Sequence, residues 1–200
     1  MISDLLKPAV TRVITPAAKG LLRMGFTPNS MTVLGGIGMV VGSYVFYPTG
    51  HFFLGSVVIA FFTLGDLFDG TMARLSQKGS SPWGSFLDST IDRVTDASIL
   101  IALILGIDIH RDRLIPVILI ATLTGVLVPY IRAKAESINV ECSGGLAERT
   151  ERLIVALISI SLYGLGVPYA LAIGMWLLAV LGTFTVFQRV VIVKKAVKNL

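Results

Sequence analysis

The chain has 200 residues, 54% of them hydrophobic and 14% charged, with a mean hydropathy of +0.82. These values exclude an ordinary soluble domain and predict one polytopic membrane protein. The net charge of +5 suits flanking charges at anionic headgroups, so nucleic acid is not expected as a partner, and a single cysteine, Cys142, excludes an intrachain disulfide framework.

In residues 1–25, Leu5, Leu6, Val10, Val13, Ile14 and Ala17 alternate with Lys7, Arg12 and Lys19 at helical spacing. This predicts an amphipathic helix lying on the cytosolic leaflet. The stretch lacks a continuous apolar core, so no cleavable signal peptide is expected. Pro28, Asn29 and Ser30 then have the composition of a helix start. Six apolar segments follow, over about Met31–Tyr47, His51–Leu75, Pro82–Ile107, Leu114–Ala135, Glu151–Leu165 and Tyr169–Val193. Turn-like punctuation separates them at residues 48–50, 79–82, 108–113 and 164–168. No internal repeat or low-complexity linker interrupts the chain. The expected fold is all-α, a single integral-membrane domain over residues 1–200. Its expected parts are the surface helix (1–25) and a bundle of six transmembrane helices (26–200).

Charge orients the segments. Lys7, Arg12, Lys19 and Arg23 precede the first; Arg74 and Lys78 follow the second. Arg132, Lys134, Arg149 and Arg152 lie between the fourth and fifth, and Arg189, Lys194, Lys195 and Lys198 end the chain. Six crossings put all of these on one side. The other side keeps only Arg111 and Arg113, while Arg93 falls within the third segment. Both termini are therefore expected in the cytosol, and the protein in the plasma membrane. His51 and His110 fall on the noncytosolic side and are not expected to be ligands.

The line from Asp66 to Asp92 carries the chemistry. Asp66, Asp69, Gly70, Ala73 and Arg74 share one helical face; Gly84, Asp88 and Asp92 share another. Intramembrane acids are costly and mark functional sites by default. Gly70 and Gly84 remove side chains where a large group must approach. Carboxylate oxygens are hard ligands, so Asp66, Asp69, Asp88 and Asp92 on two facing helices are candidates to hold two Mg²⁺ ions, or Mn²⁺ in their place. At 1.5 Å per residue, Asp66 and Asp92 both fall roughly 12–15 Å below the cytosolic surface. The bland alternative, acids merely paired with Arg74 and Arg93, would bury five charges for packing alone. Asp96, one turn beyond Asp92, is expected in a structural ion pair or hydrogen bond.

The pattern D-x-x-D-G-x-x-A-R, nine further residues, then G-x-x-x-D-x-x-x-D is filled by Asp66, Asp69, Gly70, Ala73, Arg74, Gly84, Asp88 and Asp92. It resembles the signature of the CDP-alcohol phosphotransferases. The resemblance implies an enzyme that displaces CMP from a CDP-linked donor with an alcohol hydroxyl. In the lipid branch the donor is CDP-diacylglycerol. It implies two divalent metals and Asp92 as general base. Asn29, Ser30, Met31 and Thr32 match a P-N-x-x-T element of the family. With Asp66, Asp69, Gly70, Ala73, Arg74, Ser81 and Gly84 they are the expected CDP-diacylglycerol contacts. The family also implies a homodimer.

Arg132, Lys134, Arg152 and Arg189 end three helices on the expected cytosolic side and are candidates to clamp a phosphorylated acceptor. Flanking positive charge would explain any one of them equally well. The order Tyr130-Ile-Arg132-Ala-Lys134-Ala-Glu136, then Glu148-Arg149-Thr-Glu151-Arg152, with Gly174 to Val180 and Gln188-Arg189, resembles the actinobacterial phosphatidylinositol phosphate synthase branch. That branch implies inositol 1-phosphate as acceptor. The alternatives are glycerol 3-phosphate, as in phosphatidylglycerol phosphate synthases, or a membrane cation transporter without CMP release.

Overall fold

The computed structural model describes residues 14–75, 81–107, 113–142 and 149–198, and among them there is helix but no strand. Helix α1 covers residues 14–23. The others are α2 (Pro28–Phe46), α3 (Phe52–Thr63), α4 (Gly65–Leu75), α5 (Pro82–Gly106), α6 (Ile115–Glu136), α7 (Arg149–Gly164) and α8 (Ala170–Val197). Every apolar segment expected from the sequence is therefore helical. Leu5, Leu6, Lys7, Val10, Arg12 and Val13 of the expected surface helix lie outside the described residues, as do Lys78, His110 and Arg111. Within α1 the buried alanine is Ala18 and not Ala17.

Four spans are long and apolar enough to cross a membrane: Pro28–Phe46, Phe52–Leu75, Ile115–Glu136 and Ala170–Val197. They mark a membrane protein. The other two expected crossings differ for physical reasons. Helix α5 carries Asp88, Asp92, Arg93 and Asp96 within its first 15 of 25 residues. Helix α7 has 16 residues, about 24 Å at 1.5 Å per residue, against a hydrocarbon core of about 30 Å. Large apolar side chains face outward, with Ile173 and Phe187 each 67% exposed, as suits lipid contact.

The second apolar segment is one span but two helices. At Leu64 the ladder tightens, with the Leu64 N–H donating to the Phe61 carbonyl at 3.2 Å and Leu67 N–H to Leu64 at 3.0 Å. Such three-residue bonds are a short 3₁₀ turn. Gly65, a poor helix former, follows directly.

The chain divides into two compact units: residues 1–42 with 58–95, and residues 43–57 with 96–200. In the first, glycines of α2 admit close neighbours. A Cβ on Gly36 would strike the Ile91 side chain, and one on Gly38 the Phe62 ring. Gly35 and Gly65 meet backbone to backbone: a Cβ on Gly35 would lie 3.2 Å from the Phe62 carbonyl oxygen and 3.7 Å from Gly65 Cα. In the second unit, α6 and α7 pack against α8. Gly182 leaves room for Thr124 and Gly174 for Ser159, the small-residue seams that helices in lipid use. Tyr47, fully buried, keeps its hydroxyl satisfied by Ser56 Oγ at 3.0 Å.

Candidate active site

The site is built in the first unit, at the start of α2. Thr27 and Ser30 cap the helix reciprocally. The Ser30 N–H donates to Thr27 Oγ1 at 3.1 Å, and the Thr27 N–H to Ser30 Oγ at 2.9 Å. Ser30 Oγ–H also donates to the Thr27 carbonyl at 2.8 Å. The helix-start reading of this segment therefore holds, and Ser30 is engaged in the cap. One turn on, Thr32 donates to Asp69 Oδ2 at 2.6 Å. The Gly35–Gly65 approach explains this bond. Thr32 lies three residues before Gly35, and Asp69 four residues after Gly65. Two backbones in contact at the glycines bring a short hydroxyl to a short carboxylate.

The start of α5 is fixed in the same manner. Ser81 accepts the Gly84 N–H at 3.0 Å, an N-cap bond. A Cβ on Gly84 would lie 2.9 Å from Asn29 Oδ1, so glycine here lets α5 approach the Asn29 side chain. Gly70 is different: a Cβ there would meet nothing within 4 Å. Packing does not require that glycine; it borders open space.

That space is a cavity of about 510 Å³, a size suited to a nucleotide or lipid headgroup. Its wall includes Asn29, Thr32, Asp69, Gly70, Ala73, Ser81, Gly84 and Asp88. Five of the eight signature positions thus share one wall. Sequence reasoning missed Leu22, Phe26 and Ser85, which also line it. Ser85 neighbours Gly84 and was within reach of the motif; Leu22 and Phe26 carried no signal beyond their apolarity. Ser30 and Met31 are not on the wall. Arg74 is not either; its guanidinium donates to Thr71 Oγ1 at 3.2 Å.

Asp69 and Asp88 face the cavity, and Asp69 is within electrostatic range of both Asp66 and Asp88. Asp92 meets Arg93 at 3.4 Å, and its carbonyl accepts the Thr95 hydroxyl at 3.1 Å. Among the described residues the buried Arg93 Nε has no hydrogen-bond partner. Among the described residues no three His, Cys, Asp or Glu side chains form a closed metal-ligand set. The donors nonetheless fit Mg²⁺ or Mn²⁺. They are hard oxygens of like charge on two helices beside an open cavity. Magnesium is commonly held by one or two carboxylates, with water and substrate phosphate completing the shell.

The basic residues belong to the second unit and meet different partners. Arg132 pairs with Glu136 at 2.8 Å on the exposed face of α6, and Lys134 is exposed. Arg189 donates to the Val128 carbonyl at 2.6 Å and lies within electrostatic range of Arg132 and Glu136. Arg152 faces Asp96 at 3.9 Å, as Arg149 does at 3.3 Å. Asp96 is thus in the ion pair expected of it. Arg132 and Arg189 share a neighbourhood, whereas Arg152 sits at the Asp96 carboxylate.

A family model described as CDP-alcohol phosphatidyltransferase matches residues 26–191. The phosphatidylinositol phosphate synthase of Mycobacterium tuberculosis is 41% identical over 193 residues, covering 92% of this chain and 86% of the relative. The Streptomyces avermitilis enzyme of that name is 39% identical over 204 residues, covering 98% and 83%. Two crystal structures of the M. tuberculosis enzyme are similar. The one with manganese and citrate has a TM-score of 0.85 at 41% identity, covering 90% of this chain and 88% of that one. The one with CDP-DAG bound has a TM-score of 0.85 at 38% identity, covering 91% and 94%.

Proposed function

The chain belongs to the CDP-alcohol phosphatidyltransferase family, and from that we propose that it is a phosphatidylinositol phosphate synthase. It transfers the phosphatidyl group of CDP-diacylglycerol to inositol 1-phosphate, giving phosphatidylinositol phosphate and CMP. The observation that carries this reading is the cavity wall shared by Asp69, Gly70, Ala73, Gly84 and Asp88. The relatives named as phosphatidylinositol phosphate synthases support the choice of acceptor.

The acceptor hydroxyl oxygen forms a bond to the phosphorus that bears diacylglycerol. The bond from that phosphorus to the CMP phosphate breaks, and the hydroxyl proton passes to Asp92. A carboxylate is a weak base, so Asp92 works chiefly by holding that hydroxyl in line. Asp66, Asp69, Asp88 and Asp92 would hold two divalent ions, Mg²⁺ or Mn²⁺, which screen the pyrophosphate and stabilise the departing phosphate. Thr32 fixes the orientation of Asp69. Asn29 and Thr32 offer polar groups to the cytosine edge or the pyrophosphate, with Ser81 as a further contact. Gly70 leaves room for the nucleotide, and Arg74 turns from Thr71 to a phosphate. Arg132, Lys134, Arg152 and Arg189 receive the acceptor's phosphate.

The proposed setting is a homodimer in the plasma membrane, with α5 and α7 completing six crossings. The segment up to residue 25 lies on the cytosolic leaflet, and both termini and the site face the cytosol. The test is CMP release by the purified protein in detergent with CDP-diacylglycerol and Mg²⁺. Inositol 1-phosphate, free inositol and glycerol 3-phosphate are supplied in parallel. Release with inositol 1-phosphate alone is expected. Release with glycerol 3-phosphate instead would keep the donor site and overturn the acceptor; release with none would overturn the reaction.

A further inference from the structure

One charged side chain of the first unit has no part in the reaction scheme above. Arg93 lies midway along the 25-residue helix α5. Its side chain is 25% exposed, and a terminal nitrogen of its guanidinium donates to Oδ2 of the preceding residue, Asp92, at 3.4 Å. Its inner nitrogen, Nε, is buried and among the described residues has no hydrogen-bond partner. The Asp92 side chain is 14% exposed. It follows Asp88, which lines the cavity, by one turn of the same helix.

Successive residues on a helix are turned about 100° apart and do not face each other. An arginine meets the residue before it by folding its long side chain back along the helix surface. Here that leaves the inner N–H without an acceptor, which costs stability. A largely buried ion pair is also a poor packing device, since apolar side chains of similar volume often serve a helix as well or better. Packing therefore does not account for Arg93, and its effect on Asp92 does. Asp88 and Asp92 are like charges four residues apart, a repelling pair on one helix face. Repulsion favours turning the Asp92 carboxylate away from Asp88. A guanidinium on Oδ2 opposes that turn.

We propose that Arg93 is a positioning residue for the general base. It holds the Asp92 carboxylate in the orientation that takes the proton of the acceptor hydroxyl. This rests on the proposed function above, in which Asp92 is that base. A merely structural arginine would act on the fold and on every ligand alike. A positioning residue acts on kcat and leaves substrate binding nearly as it was, because a base misplaced by about 1 Å costs roughly 100-fold in rate.

The test is steady-state CMP release by the purified full chain, as wild type, Arg93→Met, Arg93→Lys, Asp92→Asn and the Asp92→Asn/Arg93→Met double variant. Uptake of Mn²⁺ by each is followed by electron paramagnetic resonance. For Arg93→Met, kcat should fall about 10- to 100-fold, with both KM values within about twofold and Mn²⁺ bound no more weakly than by wild type. Arg93→Lys, which returns a cation, should recover part of the loss. The double variant should be no slower than Asp92→Asn, because a residue acting through Asp92 has nothing left to position. If Arg93→Met does not fold, Arg93→Gln carries the same comparison, since it removes the charge and keeps a polar group. An unchanged kcat in Arg93→Met overturns the proposal, as does full additivity in the double variant or no recovery in Arg93→Lys. A rise in both KM values or weakened Mn²⁺ uptake makes Arg93 merely structural and also overturns it. The Asp92→Asn arm separates the two levels of the argument. If that variant keeps the wild-type kcat, Asp92 is not the base and both readings fail. If it is slow while Arg93→Met is not, the positioning role alone fails.

Discussion

The two compact units place their charged residues by different rules. In the first, five signature positions from α4 and α5 meet on one cavity wall, joined by Thr32 from α2. In the second, three of the four basic residues that the sequence grouped as a clamp meet different partners: Glu136 for Arg132, Asp96 for Arg152 and the Val128 carbonyl for Arg189. The difference teaches where local spacing suffices. Residues three or four apart on one helix share a face whatever the tertiary packing. Residues on three helices are brought together only by how those helices cross, which their flanking charge does not encode.

The contrast can be broken most severely through the metal. Chelation should abolish CMP release, because the pyrophosphate then lacks cations worth several kcal/mol to its transition state; restoration by Mg²⁺ and Mn²⁺ checks it. Next comes Asp92→Asn, expected to lower kcat by about 100- to 10,000-fold, the span of general-base catalysis. Thr32→Val should then cost about 10- to 100-fold in kcat/KM, since a hydrogen bond to a charged group is worth about 1.5–3 kcal/mol. Thr32→Ser should retain most activity. Retained activity in Thr32→Val would separate Asp69 from its hydroxyl partner and weaken the account of the first unit.

Gly35→Val sharpens the comparison through packing. The neighbour at 3.2 Å is the Phe62 backbone carbonyl, which cannot rotate aside. Overpacking of this kind costs about 1–3 kcal/mol, and the melting temperature should fall by several degrees along with activity. Arg132→Ala should do least to stability. Its pair with Glu136 is over half exposed on both sides, where such bridges contribute about 0–1 kcal/mol. A thermal melt should move by no more than about 4 °C, while the acceptor KM reports any part in the clamp.

Much of this was legible in the sequence. The helical segments followed from runs of apolar residues, and the wall positions Asp69, Gly70, Ala73, Gly84 and Asp88 from a spacing that one or two helical turns preserve. Asn29 and Thr32 were found through a short motif, but the reason they serve together was not. Ser30 looked equally polar and went to the cap, a choice decided by hydroxyl geometry at Thr27. The break at Leu64, a 3₁₀ turn followed by Gly65, was hidden inside a continuous apolar run. Leu22 and Phe26 were invisible as wall residues. Their apolarity is equally consistent with membrane contact.

The Gly35–Gly65 contact has a consequence for inhibitor design. It is made of backbone alone, with no rotamers to yield, so the side of the cavity that carries Thr32 and Asp69 is stiff. The side that carries Leu22 and Phe26 is made of side chains that can turn. A molecule aimed at this cavity should carry its rigid, hydrogen-bonding part toward Thr32 and Asp69, shaped closely to fit. Its adaptable apolar part belongs against Leu22 and Phe26, where an imperfect outline can be absorbed.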